Sequence, residues 1–214
     1  MILAIDTSTA ACTAALFDAA GGLLAKRDEV IGRGHAERLV PMIEELLEGR
    51  NARRILVGVG PGSFTGLRVG IAAAQGLAIG WDAELAGLSS PALLACGAAG
   101  SGPVAVAMIG GHGELFVQQY ERGTLTPTTP LLSLAPQAAA ARISADLVVG
   151  PGATELVAAR GWGEAVDAWP NAADTLALPE ALRTLAPRPL YARPPDARPS
   201  EARAAADLAA TRAA

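Results

Sequence analysis

The tetrapeptide Val59-Gly60-Pro61-Gly62 recurs as Val149-Gly150-Pro151-Gly152, each time after a short apolar run and before a helix-forming segment. A chain of 214 residues that repeats one strand-turn-helix junction is built from two units, too few and too long for a solenoid. The flanking residues support the duplication. Residues 2–6, 12–17 and 23–30 read as strands, with Gly21-Gly22 as a turn. From Gly34 the period changes, because Leu39, Val40, Ile43, Leu46 and Leu47 recur at helical spacing with Glu37, Glu44, Glu45 and Glu48 between them. Residues 55–59 form a fourth strand, and Ser63 caps a long helix running to Gly80. In the second half, residues 104–109, 114–120 and 125–132 read as strands, 136–142 as a helix and 146–149 as a strand, followed by a turn and helix. Each half is βββαβα.

Two such lobes facing a cleft make up the α/β plan of the actin-like ATPase fold, here as a duplicated pair. The expected division is an N-terminal lobe over residues 1–100, a C-terminal lobe over 101–190 and a Pro/Ala-rich tail over 191–214. Residues 89–101 join the lobes, and Pro187, Pro189, Pro194, Pro195 and Pro199 mark an extended strap.

Charge and composition narrow the function. Asp and Glu number 21 against 17 Lys and Arg, with Lys26 the single lysine, so the chain lacks the broad basic stripe of a stand-alone nucleic-acid binder. The most apolar stretch, residues 69–81, is interrupted by Gly70, Gln75, Gly76 and Gly80 and is too short to span a bilayer. Cys12 and Cys96 are isolated and the first residues lack signal-peptide character, which reads as reduced thiols in a cytoplasmic protein.

Chemistry in this fold is sought in the turn after the first strand of each lobe. Asp6-Thr7-Ser8-Thr9 supplies a carboxylate and three hydroxyls that suit a metal-bound phosphate, or simply cap the turn. Gly110-Gly111-His112-Gly113 stands at the matching point of the second lobe, so no acid answers Asp6 there. Half of a phosphoryl-transfer set is missing. Residues 60–68 lack the Gly-Lys ending of a phosphate loop, and there is no Gly-x-Ser-x-Gly elbow. His35 and His112 lie in different halves without the spacing of a metal pair. No catalytic residue, metal or cofactor is therefore expected. Gly62, Gly66 and Gly70 instead repeat every four residues, a face that lets another element approach closely, either within its own lobe or, as the sharper reading, from a helix of a second chain. The expected partner interface comprises His35, Arg38, Leu39, Met42, Ile43 and Leu46 from the first helix. Ser63, Thr65, Gly66, Gly70, Ala73, Ala74 and Leu77 complete it from the second.

Three segments, residues 2–9, 34–41 and 60–70, together resemble the TsaB family in order and spacing. Residues 113–116 are similar to the family's Gly-Glu-Val-Tyr segment, and 189–193 to its C-terminal strap. The resemblance implies a non-catalytic accessory subunit for making threonylcarbamoyladenosine beside the anticodon of tRNAs that read codons beginning with adenine. It implies TsaD as heterodimer partner and transferase, TsaE as a further ATPase subunit, and TsaC as the source of threonylcarbamoyl-adenylate. It also implies a homodimer in isolation, tRNA contact only within the complex, and no membrane; a nucleotide at the subunit junction stays open. The TsaD metal site uses a His-x-x-x-His whose positions fall here on Ser90 and Leu94, neither an imidazole. Glycopeptidase-like or ATP-using activity is the alternative, drawn from the fold and Asp6. The tail after Pro199 follows no family pattern.

Overall fold

A computed structural model describes residues 1–191; the remainder of the tail and strap expectations, from residue 192 on, lies outside the described residues. In the first lobe β1 (Ile2–Asp6), β2 (Ala11–Phe17), β3 (Leu23–Val30), β4 (Arg54–Gly58) and β5 (Glu84–Leu88) form one sheet in the order β3-β2-β1-β4-β5. The hairpin strands β1, β2 and β3 run antiparallel, while β4 and β5 continue parallel to β1. The crossovers are α1 (His35–Leu47) and α2 (Phe64–Trp81).

The second sheet repeats the arrangement. It is built from β6 (Pro103–Ile109), β7 (Leu115–Glu121), β8 (Thr126–Pro127), β9 (Leu132–Leu134), β10 (Leu147–Val149) and β11 (Glu164–Val166), in the order β11-β10-β6-β7-β8, with β9 also on β7. α4 (Pro136–Ala140) and α5 (Ala153–Arg160) are its helices. With β8 and β9 counted as the two pieces of one strand, the order within each lobe is 3-2-1-4-5 both times, the shared topology of a duplicated actin-like fold.

Three departures from the sequence expectation have physical causes. A fifth strand closes each sheet: β5 is mostly small and apolar (Glu-Leu-Ala-Gly-Leu), and β11 is exposed along its length. Residues 125–132 split into β8 and β9, because Leu125 takes a left-handed φ of 52° and Pro127 and Pro130 have no N–H to donate. α3 (Ser90–Cys96) is no exposed joint. Ser89 caps it, and Pro91 to Ala95 are buried in the core between the sheets, with Leu56 and Leu88 from one lobe and Val106 and Met108 from the other. A second core lies beneath α1 and α2, a third beneath α4 and α5.

After β11 the chain returns to the first lobe. A 3-10 segment (Ala172–Ala177) packs on β2 and α3, and the Ala172 N–H donates to Thr13 Oγ1 at 2.9 Å. Past α6 (Glu180–Arg183), Leu185 and Gly87 exchange backbone bonds, and the Leu190 N–H reaches Val59 O at 2.8 Å. The strap thus covers the ends of β4 and β5.

Candidate functional site

The turn after β1 is closed. Asp6 is 1% exposed, and both carboxylate oxygens are taken. Ser8 donates to Oδ1 through its N–H at 2.8 Å and its hydroxyl at 2.6 Å, and the Ser90 hydroxyl donates to Oδ2 at 2.6 Å. The Gly60 N–H in turn donates to Ser90 Oγ at 3.2 Å. Burial pushes the Asp6 carboxyl above its usual range, opposed by the hydrogen bonds from Ser8 and Ser90. Thr7 and Thr9 are buried as well: the Thr7 hydroxyl donates to Gly66 O at 2.8 Å, and Thr9 Oγ1 accepts from the Ala11 N–H at 3.2 Å.

What seals the turn is the glycine face of α2. A β-carbon at Gly62 would overlap the carbonyl of Ser8, one at Gly66 the carbonyl of Thr7, and one at Gly70 the Thr7 hydroxyl. The Ser63 N–H also donates to Ser8 O at 2.7 Å. Backbone of the Gly62 turn and of α2 therefore lies directly against Thr7 and Ser8. Of the two readings of this glycine face, Gly66 and Gly70 follow packing within their own lobe and not an outward face towards a second chain.

Other residues of the expected interface divide in the same way. Leu39, Met42, Ile43 and Leu46 are buried in the core between α1 and the sheet, joined by Ala74 of α2. His35 is buried at the start of α1, its Nε2 3.3 Å from Ala11 O. None of these side chains is presented to a partner by the isolated chain. Ser63 and Thr65 are exposed, with Ser63 Oγ accepting the Gly66 N–H at 3.1 Å, and Ala73 and Leu77 are half-buried. Arg38 bridges Glu29 and Glu45, its Nε donating to Glu29 at 2.7 Å and its Nη1 to Glu45 at 2.8 Å, which holds both carboxyls below their usual range.

A different ridge does face outward. Ala72, Gly76, Ile79 and Gly80 are exposed on α2, with Ile79 at 85%, and Val40 and Pro41 are exposed on the neighbouring α1. No neighbouring atom would meet a β-carbon at Gly76 or Gly80. Ten residues separate Gly66 from Gly76, about 80° short of three full turns, so the two glycine pairs look in different directions. The sequence held this signal in the spacing of Ala72, Gly76 and Gly80, but spacing alone does not say which of two small-residue stripes meets the sheet.

Across the cleft, residues 111–113 form a 3-10 turn with His112 in a left-handed conformation, and Ser133 donates to Glu114 at 2.7 Å. Leu94 is buried in the central core and Ser90 is bound to Asp6. Among the described residues no group of three His, Cys, Asp or Glu is placed to hold a metal ion. Between the lobes lies a cavity of about 160 Å³, bounded by Pro61, Pro91, Tyr120, Leu182, Leu185 and Leu190, with no charged residue in its lining. Such a surface suits side-chain packing, not a polyphosphate. No helix among the described residues is long and apolar enough to cross a membrane.

The sequence model of the family described as TsaD, tRNA N6-adenosine threonylcarbamoyltransferase, matches residues 19–132. The tRNA threonylcarbamoyladenosine biosynthesis protein TsaB of Escherichia coli K12 is 37% identical over 129 residues, 56% of this chain and 55% of that protein. Its Bacillus subtilis 168 counterpart is 30% identical over 137 residues, 60% and 59% respectively. The chain thus spans little more than half the length of the curated relatives it matches. A solved Pseudomonas aeruginosa structure, described as an uncharacterized protein with similarity to peptidase YEAZ, superposes with a TM-score of 0.75 at 31% identity, over 90% of this chain and 99% of that one. YeaZ from the same organism gives 0.73 at 30%, over 89% and 98%.

Two lobes of one topology around a sealed first turn define a member of the actin-like ATPase class. Within that class the chain belongs to the TsaB family.

Proposed function

We propose that the chain is the non-catalytic dimerisation and scaffold subunit of tRNA N6-threonylcarbamoyladenosine modification, docking onto a TsaD-type transferase. The observation that carries this reading is the closure of the Asp6 turn by the glycine face of α2: the oxygens that would organise a metal-bound phosphate are consumed inside the lobe. Curated relatives named for the same biosynthesis give it direction. Docking uses the outward ridge of α1 and α2, where Val40, Ala72, Gly76 and Ile79 allow a partner helix to approach closely, and the half-buried Ala73 and Leu77 flank it. In isolation the same ridge pairs two copies. A TsaE-type ATPase and the supply of threonylcarbamoyl-adenylate by a TsaC-type enzyme belong to the same reading, as does a cytoplasmic location.

Reconstitution tests it. Threonylcarbamoyl transfer to tRNA by a TsaD-type enzyme should require this chain, while the chain alone should turn over neither ATP nor a glycopeptide. Turnover by the purified chain would instead favour the enzymatic alternative.

A further inference from the structure

Each sheet has two outer strands, and three of the four are short or covered. β8 is two residues ending at Pro127, β11 is three residues, and β5 is met by the strap, where Gly87 and Leu185 exchange backbone hydrogen bonds. β3 is different. It runs for eight residues, is exposed along most of its length, and among the described residues pairs with β2 alone. One row of its N–H and C=O groups therefore points away from the sheet, a template for another strand.

Side chains decide which strand fits. Charges on an edge ordinarily keep other strands away, but the order Lys26-Arg27-Asp28-Glu29 complements itself read backwards. Two copies joined antiparallel about a two-fold axis perpendicular to the sheet keep each face on its own side, so residues of the same face meet. With Arg27 opposite Arg27 of a second copy, Lys26 of each copy stands opposite Asp28 of the other. Within the chain Lys26 Nζ already lies 3.0 Å from Asp28 Oδ2, and the Thr13 hydroxyl fixes Asp28 by donating to Oδ1 at 2.5 Å. Pairing extends that contact into four charges of alternating sign. The central Arg27 is offset by Glu45 of its own chain at 3.6 Å. Val30, 61% exposed, falls opposite the bulged start of the other β3, which carries the exposed Leu23 and Leu24. The neighbouring registers that the axis allows put Lys26 on Lys26, with no opposite-charge pair, or Asp28 on Asp28 with Arg27 opposite Glu29. The latter is weakened because both Glu29 oxygens already accept from Arg38.

We propose that β3 is a self-association edge, through which two copies of this chain pair antiparallel and join two five-stranded sheets into one. A contact between two single strands stays at the low end of interface sizes, below about 1,200 Å², so the pairing is weak and shows only at high protein concentration. It uses none of the ridge residues Val40, Ala72, Gly76 or Ile79. Where the ridge carries a transferase subunit, which rests on the function proposed above, edge pairing closes two such pairs into one assembly.

Sedimentation equilibrium of Ile79→Glu, in which the ridge is blocked, over a concentration series into the high micromolar range reads edge pairing by itself. The expected species is a reversible dimer. Lys26→Asp, which sets like charges opposite each other twice, should weaken it about tenfold, and adding Asp28→Lys should restore it, because the pairs are then only exchanged. Arg27→Thr should tighten the dimer about threefold by replacing the like-charged centre with a pair that strands favour. Circular dichroism and urea midpoints check that each variant is folded. If the exchanged variant fails to fold through loss of the Thr13 bond, Lys26→Asp and Arg27→Thr still move the dimer in opposite directions. A monomer at every concentration, or a dimer unchanged by both Lys26→Asp and Arg27→Thr, would overturn the proposal. If the unaltered chain forms the same dimer as Ile79→Glu and nothing larger, pairing of copies through the ridge is rejected and the strand edge stands.

Discussion

Substituting alanine at three glycines of α2 separates packing inside the lobe from freedom at its surface. At Gly76 an added β-carbon meets nothing within 4 Å, so Gly76→Ala gains the helix-propensity difference and should stabilise the fold by about 0.8–1 kcal/mol. At Gly66 the same carbon overlaps the main-chain oxygen of Thr7, which cannot turn aside as a side chain does. Overpacking of this kind costs about 1–3 kcal/mol. Here the upper end applies, because the carbonyl belongs to the turn that positions Asp6. Offset by about 1 kcal/mol of propensity, the net loss for Gly66→Ala is about 2 kcal/mol. Gly70→Ala should fall between the two, since it meets the Thr7 hydroxyl, which can rotate, but only by giving up the bond to Gly66 O, worth about 1 kcal/mol. Urea unfolding followed by far-ultraviolet circular dichroism reads all three through their midpoints at a common m-value. A Gly66→Ala protein as stable as Gly76→Ala would refute the close approach of α2 to the first turn.

Other consequences follow from the same geometry. Because the folded-state pKa of Asp6 is raised above 3.8, its contribution to stability is fully present below that value and is lost as pH rises through the folded pKa. The stability difference between the unaltered chain and Asp6→Asn should therefore shift against the unaltered chain between pH 4 and neutrality, as measured by urea midpoints across that range; a difference independent of pH would contradict the burial argument. Thr175 Oγ1 is buried without a partner among the described residues. Thr175→Val, of matching shape, should leave stability unchanged or raise the unfolding free energy by about 1 kcal/mol, whereas a clear loss would reveal a hydrogen bond from that hydroxyl.

Much of this architecture was legible in the sequence because the duplication repeats local signals: glycine turns, alternating strands and the amphipathic α1. Less legible was anything decided by direction. The four-residue glycine spacing marked a close approach, yet Gly66 and Gly70 approach Thr7 of their own lobe, and the small-residue ridge left exposed is at Gly76 and Gly80. α1 shows the same limit. Leu39, Met42, Ile43 and Leu46 face the sheet, as an apolar stripe normally does, so the residues most visible as a pattern were those least available to a partner. Around Asp6, the carboxylate and hydroxyls were evident, but Ser90 reaches it from 84 positions away, which no local pattern reveals. Exposed aromatic residues far apart in sequence, Phe64 and Tyr191, were likewise joined only by the return of the strap.

Sedimentation velocity of the chain mixed with a TsaD-type partner, comparing the unaltered protein with Ile79→Glu, addresses the docking function most directly. Ile79 is 85% exposed, so the substitution leaves the fold intact and places a charge on the proposed ridge. The expected result is a heterodimer with the unaltered chain and separate subunits with Ile79→Glu. A heterodimer of equal affinity with both proteins would place docking elsewhere and contradict the account.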